Sequence, residues 1–356
     1  MAGKLFDGKR VLITGGTGSL GKVLVRRILE GEMGDPSNVI VFSRDEAKQY
    51  FMRVAYDNNL AATDEVIYRN FQRKLQFWIG DVRDFNSVVS AIRNVDIVIN
   101  AAAMKQVPTC EYYPYEAVRT NVEGAENIVC AIQKHNLKVE TVVGVSTDKA
   151  CKPVNTMGMT KAIQERIFIQ GNMRCPNTRF VCVRYGNVLA SRGSVIPLFH
   201  DQIRRGGPVT ITTPDMTRFL LSLHDAVDTI FAAINGGLPG ETYVPRVPAS
   251  RIVDVAKALI DGRPIEMIVT GIRPGEKIHE IMVNDEEVHR TVDRGKWYAI
   301  LPMLPELRGD GDRSLCLQKE YSSNDHVLNL EETRRLLKER KVMLEDVSSS
   351  EGELLR

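Results

Sequence analysis

The sequence predicts an α/β fold: a doubly wound parallel sheet with a smaller, interleaved C-terminal lobe. Three observations lead there. The first ~190 residues alternate short β-branched runs with longer stretches of helical period. A glycine-rich turn joins the first apolar run to the first helix. After Gly186 the rhythm changes to short strands punctuated by RRGGP, NGGLPG and RPGEK.

In chain order, Arg10–Thr14 is the first strand, a basic residue followed by Val, Leu, Ile and Thr. SLGKVLVRRILEG then places Leu20, Val23, Leu24 and Ile28 on one helical face, with Gly31 as the stop. Asn38–Ser43 is the second strand. The charged, Tyr-bearing stretch 45–73 is expected to form a helix plus a surface excursion. Leu75–Asp81, Ile97–Ala101, Glu140–Ser146 and Phe180–Tyr185 supply four more strands. Beyond Gly186, Ser222–Asn235 and Arg251–Leu259 have helical period and are expected to return to the first lobe. LEETRRLLKERKVMLEDV reads as a charged amphipathic helix and SSSEGELLR as a frayed tail.

The 356 residues amount to two or three domains of roughly 150 residues, enough for a sizeable core. Lys plus Arg total 47 against 45 Asp plus Glu, so no global field draws in nucleic acid or an anionic membrane, and neither is an expected partner. The apolar run Val11–Ile13 is too short for an export signal. The stretch from Val95 to Met104 is interrupted by Asp96 and Asn100, and nothing approaches the ~18 apolar residues of a membrane span. A cytoplasmic location is expected. The six cysteines have no CxxC spacing, so reduced thiols are expected. His200, His224, His279, His289 and His326 lack ligand spacing, and no metal is expected.

VLITGGTGSLG sets Gly16, Gly18 and Gly21 in G-x-G-x-x-G spacing between strand and helix, the turn of a Rossmann-type nucleotide site. Gly15 adds a second spacing, G-x-x-G-x-x-G. Glycine is required because the backbone must turn tightly and let a pyrophosphate approach the helix N-terminus; Gly15, Thr17, Gly18, Ser19, Leu20 and Gly21 are the expected contacts. NAD sites usually place an acid at the end of the second strand. Here VFSRDE offers Ser43 and Arg44 first, which suit a 2′-phosphate and favour NADP; Asp45 keeps NAD open as the less favoured reading. Asp81 and Val82 are placed for the adenine, and Ala101, Ala102 and Ala103 for close cofactor approach.

GVSTDKACKPVNTMGMTKAIQE ends a strand with Ser146, Thr147, Asp148 and Lys149 and places Met157 four residues before Lys161, on one helical face. The chain here resembles the extended short-chain dehydrogenase/reductase superfamily, whose Tyr-x-x-x-Lys pair deprotonates a sugar hydroxyl and holds the nicotinamide ribose. Met157 stands at the tyrosine position. AAAMKQVPTCE, STDKA, RYGNVLASRGSVIPLF, PDMTRFLLSL and RPGEKIHE narrow the resemblance to nucleotide-sugar 4,6-dehydratases of the polysaccharide-biosynthesis group. It is similar to the CapE-type UDP-N-acetylglucosamine 4,6-dehydratases, which also carry Met there and invert C5; C5-retaining dehydratases share the same Met.

The resemblance implies hydride removal from C4, loss of water across C5 and C6, and hydride return to C6. It places Asp148 as the acid on the C6 hydroxyl and neutral Lys149 as the C5 base, with Asp148 raised by burial and Lys149 lowered by burial and the Lys161 charge. The C4 proton leaves through Thr147 or through Asp148 acting first as base. Lys105 is an expected active-site cation. Asn121 reads equally as a structural asparagine or a helix cap.

A UDP-N-acetylhexosamine substrate needs cations and amide partners, for which Asn187, Arg192, Arg218, Arg251, Arg273 and Glu276 are the candidates. Val195, Ile196 and Pro197 are expected around the uracil. The resulting division is an NADP domain of residues 1–187 and 218–262, a nucleotide-sugar lobe of 188–217 and 263–340, and a tail of 341–356. The resemblance also implies a homo-oligomer, up to a hexamer. A 4-epimerase or ketoreductase, a GDP-sugar substrate, and a non-enzymatic NADP-binding sensor are the competing readings.

Overall fold

The structure, a computed structural model, describes residues 4–57, 73–189, 194–308 and 315–346. Strands β1 (Arg10–Thr14), β2 (Asn38–Ser43), β3 (Leu75–Ile79), β4 (Ile97–Asn100), β5 (Thr141–Val145) and β6 (Arg179–Val183) fall where the sequence places them, the later ones a residue or two shorter. They are followed by β7 (Val209–Ile211), β8 (Thr217–Phe219), β9 (Thr242–Pro245), β10 (Ala249–Arg251), β11 (Met267–Val269) and β12 (Ile281–Val283). The last four are β13 (Thr291–Arg294), β14 (Trp297–Ile300), β15 (Tyr321–Ser322) and β16 (Val327–Leu328).

The main sheet runs β3, β2, β1, β4, β5, β6, β9, β14, β13. Every pairing from β3 to β9 is parallel, whereas β14 and β13 are antiparallel. The fold is therefore Rossmann-type and doubly wound. The order reverses between β1 and β4, the switch point at which open α/β sheets bind ligands beyond their strand ends.

Longer helices cover both faces: α1 (Ser19–Leu29), α2 (Glu46–Asp57), α3 (Phe85–Ile92), α4 (Gly124–His135), α5 (Thr156–Arg174), α6 (Val195–Arg204), α7 (Leu223–Gly236), α8 (Ile252–Ile260) and α9 (Leu330–Glu339). Strand periodicity explains why both faces are needed. Val11 and Ile13 join Leu24 and Ile28 of α1 and Ile230 and Phe231 of α7, while Leu12 between them joins Val88 of α3, Ile128 of α4 and Phe168 of α5.

The expected return of Ser222–Asn235 is realised in α7, whose first turn is closed by a reciprocal Ser222–Asp225 capping box. Arg251–Leu259 does not return. As α8, it buries Val255, Ala256 and Leu259 with Ile196 and Phe199 of α6, forming a separate core to which Leu337, Val342 and Met343 also belong. The expected boundaries change accordingly: α8 packs in the second lobe, and part of the expected tail is buried there. In the other direction, β13 and β14, expected in the second lobe, extend the main sheet by pairing onto β9, which satisfies an edge that would otherwise be unpaired. The expected C-terminal helix stops at Glu339, followed by Lys341 at φ 52°.

Candidate functional site

β1 delivers the chain to the switch point. Thr14 Oγ1 donates to Asn100 Oδ1 at 2.7 Å and accepts the Ala102 N–H at 3.1 Å, locking the ends of β1 and β4 together. Gly15 follows at φ +66°, where an added methyl would sit 2.9 Å from Ala102 Cα; at Gly21 it would sit 2.5 Å from Gly16 Cα. These positions require glycine for conformation and for helix-to-strand packing. Gly18 caps α1 without any side-chain hydrogen bond, and the first turn carries no acid. Its N–H groups and dipole suit a pyrophosphate. The cradle thus fits a dinucleotide, with Ser19 and Leu20 opening the helix behind it.

Around the end of β2, Thr17 Oγ1 approaches Ser43 Oγ at 3.4 Å, and Gln49 Nε2 donates to the Ser43 and Trp78 carbonyls at 3.0 Å each. Arg44 is exposed, with Nη1 3.8 Å from Asp81 Oδ2. Asp45 accepts the Lys48 N–H at 2.9 Å and so caps α2. Burial pushes the Asp81 carboxyl up, but the Arg83 hydrogen bonds outweigh this and hold it below its ordinary value. Val82 is buried, its carbonyl accepting from Asn127 at 2.9 Å. Ala101 and Ala102 are half-buried and Ala103 is exposed. Lys105 lies exposed beyond β4.

Asn121 is not a helix cap. It is fully buried in a π-helical turn, Val118–Glu123. Its Oδ1 accepts the Met104 N–H at 2.8 Å, and its Nδ2 donates to the Met104 carbonyl and Thr160 Oγ1 at 3.0 Å each. One amide therefore ties the loop after β4 to α5.

The expected acid/base residues sit just beyond the C-terminal end of β5. Asp148 is fully buried; its Oδ1 accepts from Thr147 Oγ1 at 2.8 Å and from Lys149 Nζ at 3.1 Å. Lys149 Nζ lies equally close, 3.1 Å, to Oε1 of Glu280, which is 2% exposed. Neither Asp148 Oδ2 nor Glu280 Oε2 has a hydrogen-bond partner among the described residues. Burial raises the Asp148 carboxyl. Lys149 departs from expectation: burial pushes it down, but the carboxylates of Asp148 and Glu280 outweigh this and raise it. The expected neighbouring charge, Lys161, is instead itself pushed down to about 8 by burial. Its Nζ donates to the Val145 carbonyl and to Gln164 Oε1 at 2.6 Å each.

Met157 is 5% exposed and packs with Cys110 and Ala117. At this position the chain presents an apolar contact to the 107–117 segment, not a phenol. Asn155 caps α5 by accepting the Gly158 N–H at 2.8 Å and donates to the Gly275 carbonyl at 2.8 Å, joining α5 to RPGEKIHE. Below the site, Arg184 bridges buried Glu165 and Glu287 at 2.7 Å each, and Ser146 Oγ donates to Glu165 at 2.5 Å.

The expected substrate cations separate. Arg218 is buried and donates to the carbonyls of Thr217, Lys277 and Ile278, so much of its donor capacity fastens the RPGEKIHE loop to β8. Arg251 pairs with Asp254 at 2.7 Å and lines a cavity of about 540 Å³ with Asp215, Thr217, His279, Asn324 and Asn329. Arg273 is exposed, and its N–H donates to Glu276 Oε2 at 3.3 Å. Asn187 Oδ1 is buried without a partner among the described residues. Val195 is half-buried at the start of α6, with Pro197 half-buried two residues on. Ile196 is 1% exposed and belongs to the second-lobe core. Arg192 lies outside the described residues. Among those described, no cluster of three His, Cys, Asp or Glu side chains could hold a metal, and no helix is long and apolar enough to cross a membrane.

Sequence reasoning missed two partners. Gln164 stands three residues after Lys161, a spacing that shares a helical face, and Glu280 ends the RPGEKIHE motif.

Residues 11–302 match the model of a family described as polysaccharide biosynthesis protein. A Rickettsia canadensis protein named UDP-glucose 4-epimerase is 45% identical over 345 residues, covering 94% of this chain and 96% of the relative. Among solved structures, Pen from Bacillus thuringiensis is 32% identical with a TM-score of 0.83, covering 95% of this chain and 99% of that one. DesIV, a dTDP-glucose 4,6-dehydratase from Streptomyces venezuelae with NAD and TYD bound, shares the fold at TM-score 0.63 and 22% identity, covering 76% of this chain and 86% of that one.

Proposed function

The chain belongs to the polysaccharide biosynthesis protein family, and on that premise we propose that it is a nucleotide-sugar 4,6-dehydratase acting on UDP-N-acetylglucosamine, with C5 epimerisation in the same site. The observation that carries this reading is the buried Asp148–Lys149–Glu280 cluster at the end of β5. Dehydration needs an acid and a base side by side, and hydride shuttling alone does not.

In this reading Gly15, Thr17, Gly18 and Gly21 hold the pyrophosphate of NADP, Ser43 and Arg44 its 2′-phosphate, Asp81 and Val82 its adenine, and Lys161 its nicotinamide ribose. When bound, the dinucleotide supplies reversible hydride acceptance. Asp148, whose Oδ2 has no hydrogen-bond partner among the described residues, takes the C4 hydroxyl proton and later delivers it to the departing C6 hydroxyl, which leaves as water. As Asp148 gives that proton up, the Lys149 ammonium passes one to Asp148 and takes the C5 proton in its place, so that Glu280 stays a carboxylate; the same two transfers in reverse return a proton to C5 and complete the product. The C4 proton thus leaves in the water, and hydride removed from C4 is returned at C6, so net redox change is zero. Met157 cannot exchange a proton, which gives the C4 step to Asp148 or, through its hydrogen bond, to Thr147.

Purified protein incubated with UDP-N-acetylglucosamine is expected to yield a product lighter by one water, with solvent deuterium at C5. A second reading, 4-epimerisation, is favoured by the name of the Rickettsia relative. It predicts unchanged mass and an inverted C4, with UDP-glucose as the substrate to try. Mass spectrometry and proton NMR of the two incubations separate the readings, and no change in either substrate overturns both.

A further inference from the structure

Glu280 reaches the acid/base pair from a different part of the chain, the loop preceding β12, and is nine-tenths or more buried. It is built in from behind. Its N–H donates to Ser323 Oγ at 2.9 Å and its carbonyl accepts the Ser323 N–H at 2.8 Å, while that hydroxyl also meets Thr217 Oγ1 at 2.7 Å. A carboxylate so enclosed requires compensation by cations. Lys149 supplies it at 3.1 Å, and Arg218 Nε stands 3.9 Å away.

We propose that Glu280 is a positioning residue for the proton-transfer pair: by holding the Lys149 ammonium from the second lobe, it frees Asp148 to alternate between carboxylate and carboxylic acid. The inference rests on the acid/base roles proposed above for Asp148 and Lys149. Without Glu280, the only carboxylate contact of Lys149 among the described residues would be Asp148. The two would then form a closed ion pair, and protonating Asp148 would strand a buried ammonium. With Glu280 present, Lys149 keeps a partner through either state of Asp148.

The charges facing Glu280 are Lys149 from the end of β5, Arg218 from β8 and Lys277 from its own loop, together with Asp148 beside Lys149. Burial opposes its ionisation, yet these cations hold it below its ordinary value. Its charge in turn is one of the causes that raise Asp148, after burial itself.

The test compares wild type, Glu280→Gln and Glu280→Asp, each with its cofactor, by infrared titration of the carboxylic-acid C=O band that Asp148→Asn abolishes. Glu280→Gln removes one nearby negative charge, so the Asp148 midpoint is expected to fall by about one pH unit or more; Glu280→Asp is expected to stay near the parent. In turnover, Glu280→Gln is expected to lower kcat at least about tenfold with KM changed by less than about twofold. A midpoint that is unmoved or raised in Glu280→Gln overturns the proposal, whatever the turnover. If Glu280→Gln does not fold, the midpoint in Glu280→Asp decides: a shift beyond one unit in either direction overturns the role of a held charge, and a parental value supports it. Should wild type release no water from UDP-N-acetylhexosamines, the dehydratase reading fails while the infrared midpoints still decide the role of Glu280.

Discussion

The Lys161 ammonium donates to the carbonyl oxygen of Val145 at 2.6 Å, tying α5 to the last residue of β5. Burial pushes that lysine from an ordinary 10.5 down to about 8.

The sign of the pH dependence follows. Between about pH 8 and 10.5 the unfolded chain carries a proton at Lys161 that the folded chain lacks, so stability rises with pH across that window, and below it the full cost remains. The shift corresponds to roughly 3 kcal/mol. Urea denaturation of the cofactor-free protein is expected to show wild type gaining on Lys161→Met between pH 8 and 10.5; parallel profiles would refute the lowered value.

Gly15→Ala combines a left-handed backbone at φ +66° with a methyl 2.9 Å from Ala102 Cα. The loop must move, and with it the N–H groups proposed to hold the pyrophosphate. Calorimetric titration with NADP is expected to show affinity lower by at least about tenfold, or about 1.4 kcal/mol. Parental affinity would move the cofactor elsewhere.

Arg44→Asp is expected to shift preference from NADP toward NAD, because Asp45 caps α2 and the exposed Arg44 directly follows the last residue of β2. The measurement is the ratio of the two dissociation constants. No change in that ratio would remove Arg44 from 2′-phosphate recognition.

Arg184→Met leaves Glu165 and Glu287 buried without their shared cation. The expected destabilisation is about 3–5 kcal/mol in urea, much of it recovered when both glutamates are also changed to Gln. A loss below about 1 kcal/mol, the scale of an exposed ion pair, would show that the network is not buried in solution.

The parallel sheet and the glycine cradle were legible because their causes are local. Val11, Leu12 and Ile13 are buried on both faces, so the strand is a continuous apolar run, and Gly15 and Gly21 stand where any side chain collides with backbone. The fate of Arg251–Leu259 was not legible. Helical period states that one face is apolar but not which core receives it, and Ile196, Phe199 and Leu337 claimed α8. The same limit applies to Met157, whose sequence position matches the tyrosine of Tyr-x-x-x-Lys but whose side chain packs on Cys110 and Ala117.

The sequence by itself determined the α/β class and the positions of the first six strands along the chain, and it singled out Thr147, Asp148, Lys149 and Lys161 as candidates. Only the tertiary structure decided their charge states. The protonation of a buried group depends on which charges the fold brings within a few ångströms. Glu280, 131 positions along the chain from Lys149, is brought to 3.1 Å from its ammonium and turns an expected neutral base into a lysine held as a cation between two carboxylates.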